Sequence, residues 1–137
     1  RRELPAALGL IDHDRRTLHL VEATPAIEEQ VSLLHRGLEG RPPEAPILDG
    51  VLLTHAHIGH YLGLAQLGRE VAATDRLPIH ASPRVGRFLR GNQPWAQLVD
   101  LGQVERELDA RATRVSRRAG VTRSRSASRD STARSVT

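Results

Sequence analysis

The segment Val51-Leu52-Leu53-Thr54-His55-Ala56-His57-Ile58-Gly59-His60 decides how this chain is interpreted. It contains three of the chain's seven histidines within six residues, directly after an apolar run. The apolar run predicts a buried strand, and the histidines then occupy the loop that leaves it. Imidazole is the commonest protein ligand of zinc-like metals. The segment therefore predicts a metal site on a rigid support, open to the water that such a metal activates.

The spacing of these histidines determines which of them can share one ion. His55 and His57 are two residues apart, so in an extended segment their side chains project to the same side. His60 follows three residues later and contributes to the same site or to an adjacent one. The alternative is that all three are ordinary polar loop residues, but their number and their position after a strand favour the metal site. The remaining histidines are expected to be structural or solvated: His13, His19, His35 and His80.

Composition limits the chain to one domain without cysteine chemistry. Its 137 residues are 39% hydrophobic and 2% aromatic, which is enough for a modest core. The absence of cysteine excludes disulfides and Cys-zinc sites, so a metal must be held by histidine and carboxylate. No apolar run approaches about 18 residues, which predicts no transmembrane helix and no membrane partner. We expect a cytoplasmic protein; because the chain begins with Arg1, a preceding targeting segment stays open.

Charge divides the chain into a body and a tail. Residues 1–110 contain 12 Arg and 15 acidic residues, whereas residues 111–137 contain 8 Arg and one Asp. The tail is rich in Arg, Ser, Thr and Ala and has no apolar periodicity, which predicts disorder. It is also what a GC-rich gene yields when it is read out of frame. As a third interpretation it contacts nucleic acid through phosphates, although the lack of aromatic residues favours non-specific contacts.

Apolar periodicity predicts a mixed α/β body. Its expected order is strand-strand-helix-strand-helix-strand-helix, which is typical of layered α/β architecture. The first helix is expected to begin at Thr24-Pro25, where a hydroxyl cap precedes proline. Another is expected to begin at Pro83. Further core side chains are predicted at Trp95, Leu98, Val99 and Leu101.

The histidine segment also resembles a known family. Thr54-His55-Ala56-His57-Ile58-Gly59-His60 is similar to the Thr-His-x-His-x-Asp-His signature of the metallo-β-lactamase superfamily. The resemblance covers about residues 6–108 and is strongest toward the branch of pyrroloquinoline quinone biosynthesis protein B. The flanking segments that carry it are residues 20–25, 27–30, 61–64, 78–81, 84–89 and 92–98.

The resemblance implies a four-layer αββα sandwich built from two similar halves, of which this chain supplies the first half. It also implies hydrolysis by metal-activated water, with zinc or another divalent metal as the cofactor. By position, His55 and His57 are ligands of a first metal, and His60 belongs to a second metal and to the catalytic group. Gly59 stands where the family has an aspartate ligand of the second metal, so we expect one ion rather than two. The family's later ligands have no counterpart in residues 111–137.

Three functions follow as hypotheses. The first is a metal-dependent hydrolase, completed by missing segments, a partner or a second copy in a homo-oligomer, that acts on a small-molecule substrate of unidentified kind. The second is a non-catalytic truncated fragment without a complete metal site and with a partly exposed core. The third is a protein that binds nucleic acid through its basic tail.

Overall fold

The computed structural model describes residues 5–107, which form one sheet and the helices packed on it. The strands are β1 (Leu8–Asp12), β2 (Thr17–Val21), β3 (Gly50–Leu53), β4 (Leu77–Ala81) and β5 (Val104–Glu107). The helices are α1 (Ile27–Arg36), α2 (Ile58–Tyr61), α3 (Pro83–Gly91) and α4 (Trp95–Asp100), with a 3-10 helix at Leu62–Leu67. The predicted tail, residues 111–137, lies outside the described residues.

The sheet has the simplest possible order, β1-β2-β3-β4-β5. The first pair is an antiparallel hairpin, and every later pair is parallel. Parallel neighbours require crossover connections, and these are right-handed in nearly all proteins. Because each crossover steps to the next strand in the same direction, all the helices come to lie on one face of the sheet. This confirms the mixed α/β architecture.

Alternate strand residues form a single core with the helices. Leu18, Val51 and Ile79 are at most 3% exposed and belong to one continuous apolar cluster. The aromatic rings of Tyr61 and Trp95 pack edge to face at 4.8 Å in this cluster. Leu101 was predicted to join the core but is 46% exposed, because it follows the last residue of α4 rather than lying within the helix.

The beginning of α1 differs from the sequence prediction. The helix begins at Ile27 with Ala26 as its N-cap residue, not at Thr24-Pro25. Thr24 is 1% exposed, and its hydroxyl donates to the side chain of Gln30 at 2.9 Å. The Thr24 hydroxyl also accepts from the Ala26 amide at 3.3 Å. The Thr24 hydroxyl is therefore buried in hydrogen bonds with Gln30 and Ala26, and it does not serve as the expected N-cap.

The other face of the sheet carries no helix among residues 5–107. The apolar side chains of Leu8 and Leu10 are 59% and 42% exposed on this face. His19 and His80 lie over Gly50, where an added Cβ would come within 3.0 Å of His19 and 3.2 Å of His80. One sheet with helices on one face is half of the layered sandwich that the resemblance implies.

The imidazole of His19 makes stability depend on pH. Burial lowers the pKa of His19, the Asp49 carboxylate acts in the opposite direction, and nearby His80 lowers the pKa further. Because the folded pKa lies below the unfolded value of about 6.5, protons bind the unfolded chain more tightly. The contribution of neutral His19 to the free energy of unfolding is fully present above about pH 6.5. It is lost as the pH falls through the folded pKa.

We therefore expect His19→Gln to reduce the loss of stability between about pH 7 and pH 5. The measurement is the free energy of unfolding in urea at several pH values. His13→Gln, at an exposed turn, is the control and should keep the wild-type pH dependence. The same pH dependence in wild type and His19→Gln would contradict the assignment to His19.

None of the helices in the described part of the chain is both long enough and apolar enough to cross a membrane.

Candidate metal centre

The candidate site lies at the carboxyl ends of β2 and β3. These strands are parallel neighbours in which Val21 pairs with Leu52. The residues that follow them therefore meet at one edge of the sheet: Glu22 after β2, and Thr54 after β3. The amide of Glu22 continues the pairing by donating to the carbonyl of Leu52 at 2.9 Å. Carboxyl edges of parallel strands are where ligands bind in open α/β sheets.

The histidines extend from this edge along a short loop and the first turn of α2. His55 and His57 lie in the loop, and His60 lies in α2. The ring centroid of His55 is 4.5 Å from that of His57 and 4.4 Å from that of His60. The rings of His57 and His60 are 6.4 Å apart. The structure thus brings all three predicted residues together, with His55 in the middle.

A pair of backbone hydrogen bonds holds the histidine segment against the end of β2. The amide of Ala23 donates to the carbonyl of His60 at 2.8 Å, and the amide of Gly63 donates to the carbonyl of Ala23 at 2.9 Å. Gly63 has no room for a side chain, because an added Cβ would lie 2.0 Å from the carbonyl oxygen of Thr24. This close backbone contact places His60 beside Glu22.

Three side chains offer a compact set of donors for a metal ion. Glu22, His55 and His60 each provide one ligand atom, and these atoms lie within 4.8 Å of one another. Oε2 of Glu22 and Nδ1 of His60 are 3.8 Å apart. Both atoms are buried and neither has a hydrogen-bond partner. Buried polar atoms are normally paired, so two such atoms side by side fit a cation that binds both.

Glu22 is held at this position at a conformational cost. Its φ of 69° lies in the left-handed region, which costs a non-glycine residue about 1–3 kcal/mol. Its side chain is 9% exposed, and Oε1 accepts hydrogen bonds from the amide and the hydroxyl of Thr54. Backbone strain that the surroundings maintain is concentrated at functional sites.

His57 and Gly59 occupy the outer side of the site. His57 is exposed and is not one of the three clustered donors, so its role as a metal ligand stays a prediction. Gly59 has no neighbour within 4 Å of an added Cβ and no left-handed φ. Neither packing nor backbone conformation therefore requires glycine where the family signature has aspartate.

Glu22 is the site residue that sequence reasoning missed. The available signal was its position as the last residue of the second predicted strand, residues 17–22. A predicted helix connects that strand to the strand preceding the histidines. Such a strand-helix-strand unit is parallel, which places both strand ends at one edge. The other four histidines are not part of the three-donor cluster found among residues 5–107.

Comparisons with known proteins agree with this architecture. Residues 17–132 match the family model of the beta-lactamase superfamily domain. The match extends past residue 110, and the predicted division of the chain at that residue stays a prediction. No curated protein matches the chain.

Two solved structures are similar. The crystal structure of Zn²⁺-bound PqqB from Methylobacterium extorquens has a TM-score of 0.57 and 22% identity, covering 75% of this chain and 35% of that one. A diphosphatase from the PhnP family has a TM-score of 0.42 and 25% identity, covering 67% of this chain and 32% of that one. The likeness to PqqB shows a common fold, in agreement with the predicted resemblance. This chain spans about a third of the length of either structure. The family match over most of its length shows that the chain belongs to the beta-lactamase superfamily.

Proposed function

We propose that this chain carries the metal-binding edge of a metal-dependent hydrolase. The observation that supports the proposal is the convergence of donors from Glu22, His55 and His60 within 4.8 Å at the carboxyl edge of the sheet. The family assignment and the zinc in the similar PqqB structure are in keeping with it. The chain spans about a third of that structure, so hydrolysis by this chain is part of the proposal and is tested directly.

The residues present suit zinc or a similar divalent ion. Imidazole nitrogen and carboxylate oxygen are both zinc ligands, and catalytic zinc sites commonly have three protein ligands. Glu22 adds a negative charge beside the two imidazoles, which favours cation binding over a purely neutral set. A divalent ion held there supplies Lewis-acid polarisation of a substrate and lowers the pKa of water.

The chain's own groups divide the remaining work. His60 is 33% exposed, so it is accessible to a substrate as well as to an ion, and we propose it as the catalytic group. His57, at the exposed side of His55, is the further candidate ligand. Since Gly59 offers no side chain, one ion is expected rather than two.

Zinc titration of the metal-free chain by calorimetry tests the proposal. We expect one zinc per chain with a dissociation constant of about 1 μM or lower. The binding should be lost in His55→Ala and retained in His35→Ala, which lies outside the cluster. An activity screen with ester, lactone and phosphodiester substrates should then detect zinc-dependent hydrolysis that His55→Ala abolishes.

The two measurements separate the first two hypotheses, the metal-dependent hydrolase and the non-catalytic fragment. Zinc binding without hydrolysis would favour a non-catalytic metal-binding chain. Absence of zinc binding would overturn the proposal and favour the interpretation as a truncated fragment.

A further inference from the structure

The hydroxyl of Thr54 lies between the carboxylate of Glu22 and the imidazole of His55. It is hydrogen-bonded to Oε1 of Glu22 and, at 2.7 Å, to Nδ1 of His55. The amide of Thr54 donates to the same carboxylate oxygen at 3.3 Å. Parallel pairing of β2 with β3 is what brings Thr54 beside Glu22. Through Thr54, these contacts connect Glu22 at the end of β2 to His55, the first histidine after β3.

The number of protons determines the direction of the two hydrogen bonds. An ionised carboxylate only accepts, and a hydroxyl has a single proton to donate. Thr54 therefore donates to Glu22 and accepts, at the same oxygen, from Nδ1–H of His55. In a neutral imidazole that is protonated on Nδ1, the lone pair available to a metal is on Nε2.

We infer that Thr54 is a positioning residue that, with Glu22 behind it, holds His55 in the tautomer that presents Nε2 to a metal ion. The relevance of a metal rests on the proposed function, whereas the tautomer is a property of the metal-free chain. Metal-binding histidines generally donate their second N–H to a partner, which sets the tautomer and the ring orientation. Here the partner is a hydroxyl that is itself held by a carboxylate.

The same arrangement divides the two oxygens of Glu22 between two tasks. Oε1 holds Thr54, while Oε2 has no hydrogen bond and faces Nδ1 of His60 at 3.8 Å. One carboxylate thereby orients His55 through Thr54 and remains available as a donor next to His60.

The test is NMR of the metal-free protein with ¹⁵N-labelled histidine, using long-range ¹H–¹⁵N correlations that distinguish the tautomers. The His55 signal is assigned by comparison with His55→Gln. At a pH where the imidazole is neutral, wild-type His55 should be protonated on Nδ1. Thr54→Val removes the hydroxyl at an exposed position and should shift His55 toward the Nε2–H tautomer that free histidine favours. Thr54→Ser should restore the wild-type pattern.

Zinc affinity gives the second readout. Thr54→Val should weaken binding about 10- to 100-fold, and Thr54→Ser should restore it. A wild-type His55 protonated on Nε2, or a tautomer unchanged in Thr54→Val, would overturn the inference even if zinc binds. Failure of wild-type zinc binding would instead contradict the proposed function, and the tautomer would still decide the role of Thr54.

Discussion

Gly63→Ala is expected to destabilise the protein by about 3 kcal/mol or more. An added Cβ would lie 2.0 Å from the carbonyl oxygen of Thr24 and 2.9 Å from that of Ala23. Overpacking usually costs about 1–3 kcal/mol, and the upper end applies because the obstructing atoms are backbone and cannot rotate away. Relief requires the 3-10 helix to move from the end of β2, which breaks the Gly63–Ala23 hydrogen bond.

Chemical unfolding in urea measures this effect. Gly91→Ala is the matched control, since nothing lies within 4 Å of an added Cβ at the end of α3. That variant should have nearly wild-type stability. Equal stability of the two alanine variants would show that the backbone contact at Gly63 is not as close as the structure has it. We also expect Gly63→Ala to weaken zinc binding, because the same movement separates His60 from Glu22.

Glu22→Gln is expected to weaken zinc binding by at least about 100-fold. Loss of a group that hydrogen-bonds a metal ligand weakens metal binding about 10- to 100-fold. Removal of a charged side chain that binds the metal directly should weaken binding by no less than the upper value. Glutamine has nearly the same shape, and its amide oxygen still accepts from Thr54. The variant therefore removes the charge on Oε2 while the strand-end geometry is retained. The free energy of unfolding should not fall, because a buried charged oxygen without a hydrogen bond is replaced by a neutral amide.

The comparison with His57→Ala distinguishes the two ligand sets. Glu39→Gln, at an exposed position, serves as the charge control and should bind zinc like the wild type. If Glu22→Gln binds zinc normally and His57→Ala does not, the ligand set expected from the sequence resemblance is the correct one. Loss in Glu22→Gln with retention in His57→Ala supports the set that the structure brings together.

Local sequence signals predicted most of the secondary structure near the site. The first two strands, the strand before the histidines and the helix beginning at Pro83 all have local determinants. At Pro83, for example, the Ser82 side chain accepts from the Val85 amide at 3.4 Å. Helix α4 and strand β5 were not predicted as separate elements. Both are short, and strand β5 has only four residues, so neither has enough positions for a periodic pattern to emerge.

The sequence by itself determined that His55, His57 and His60 follow a buried strand and that the chain resembles the superfamily to which it belongs. Those conclusions depend on residues close together in the chain. Only the tertiary structure decided that Glu22 joins His55 and His60, because that meeting depends on the register of two parallel strands separated by a helix. The tertiary structure alone also decided that position 63 requires glycine, because the obstructing group is the backbone carbonyl of Thr24, nearly 40 residues earlier in the chain. Local patterns predict elements, whereas pairing register and backbone contact distances are set by how all the elements pack together.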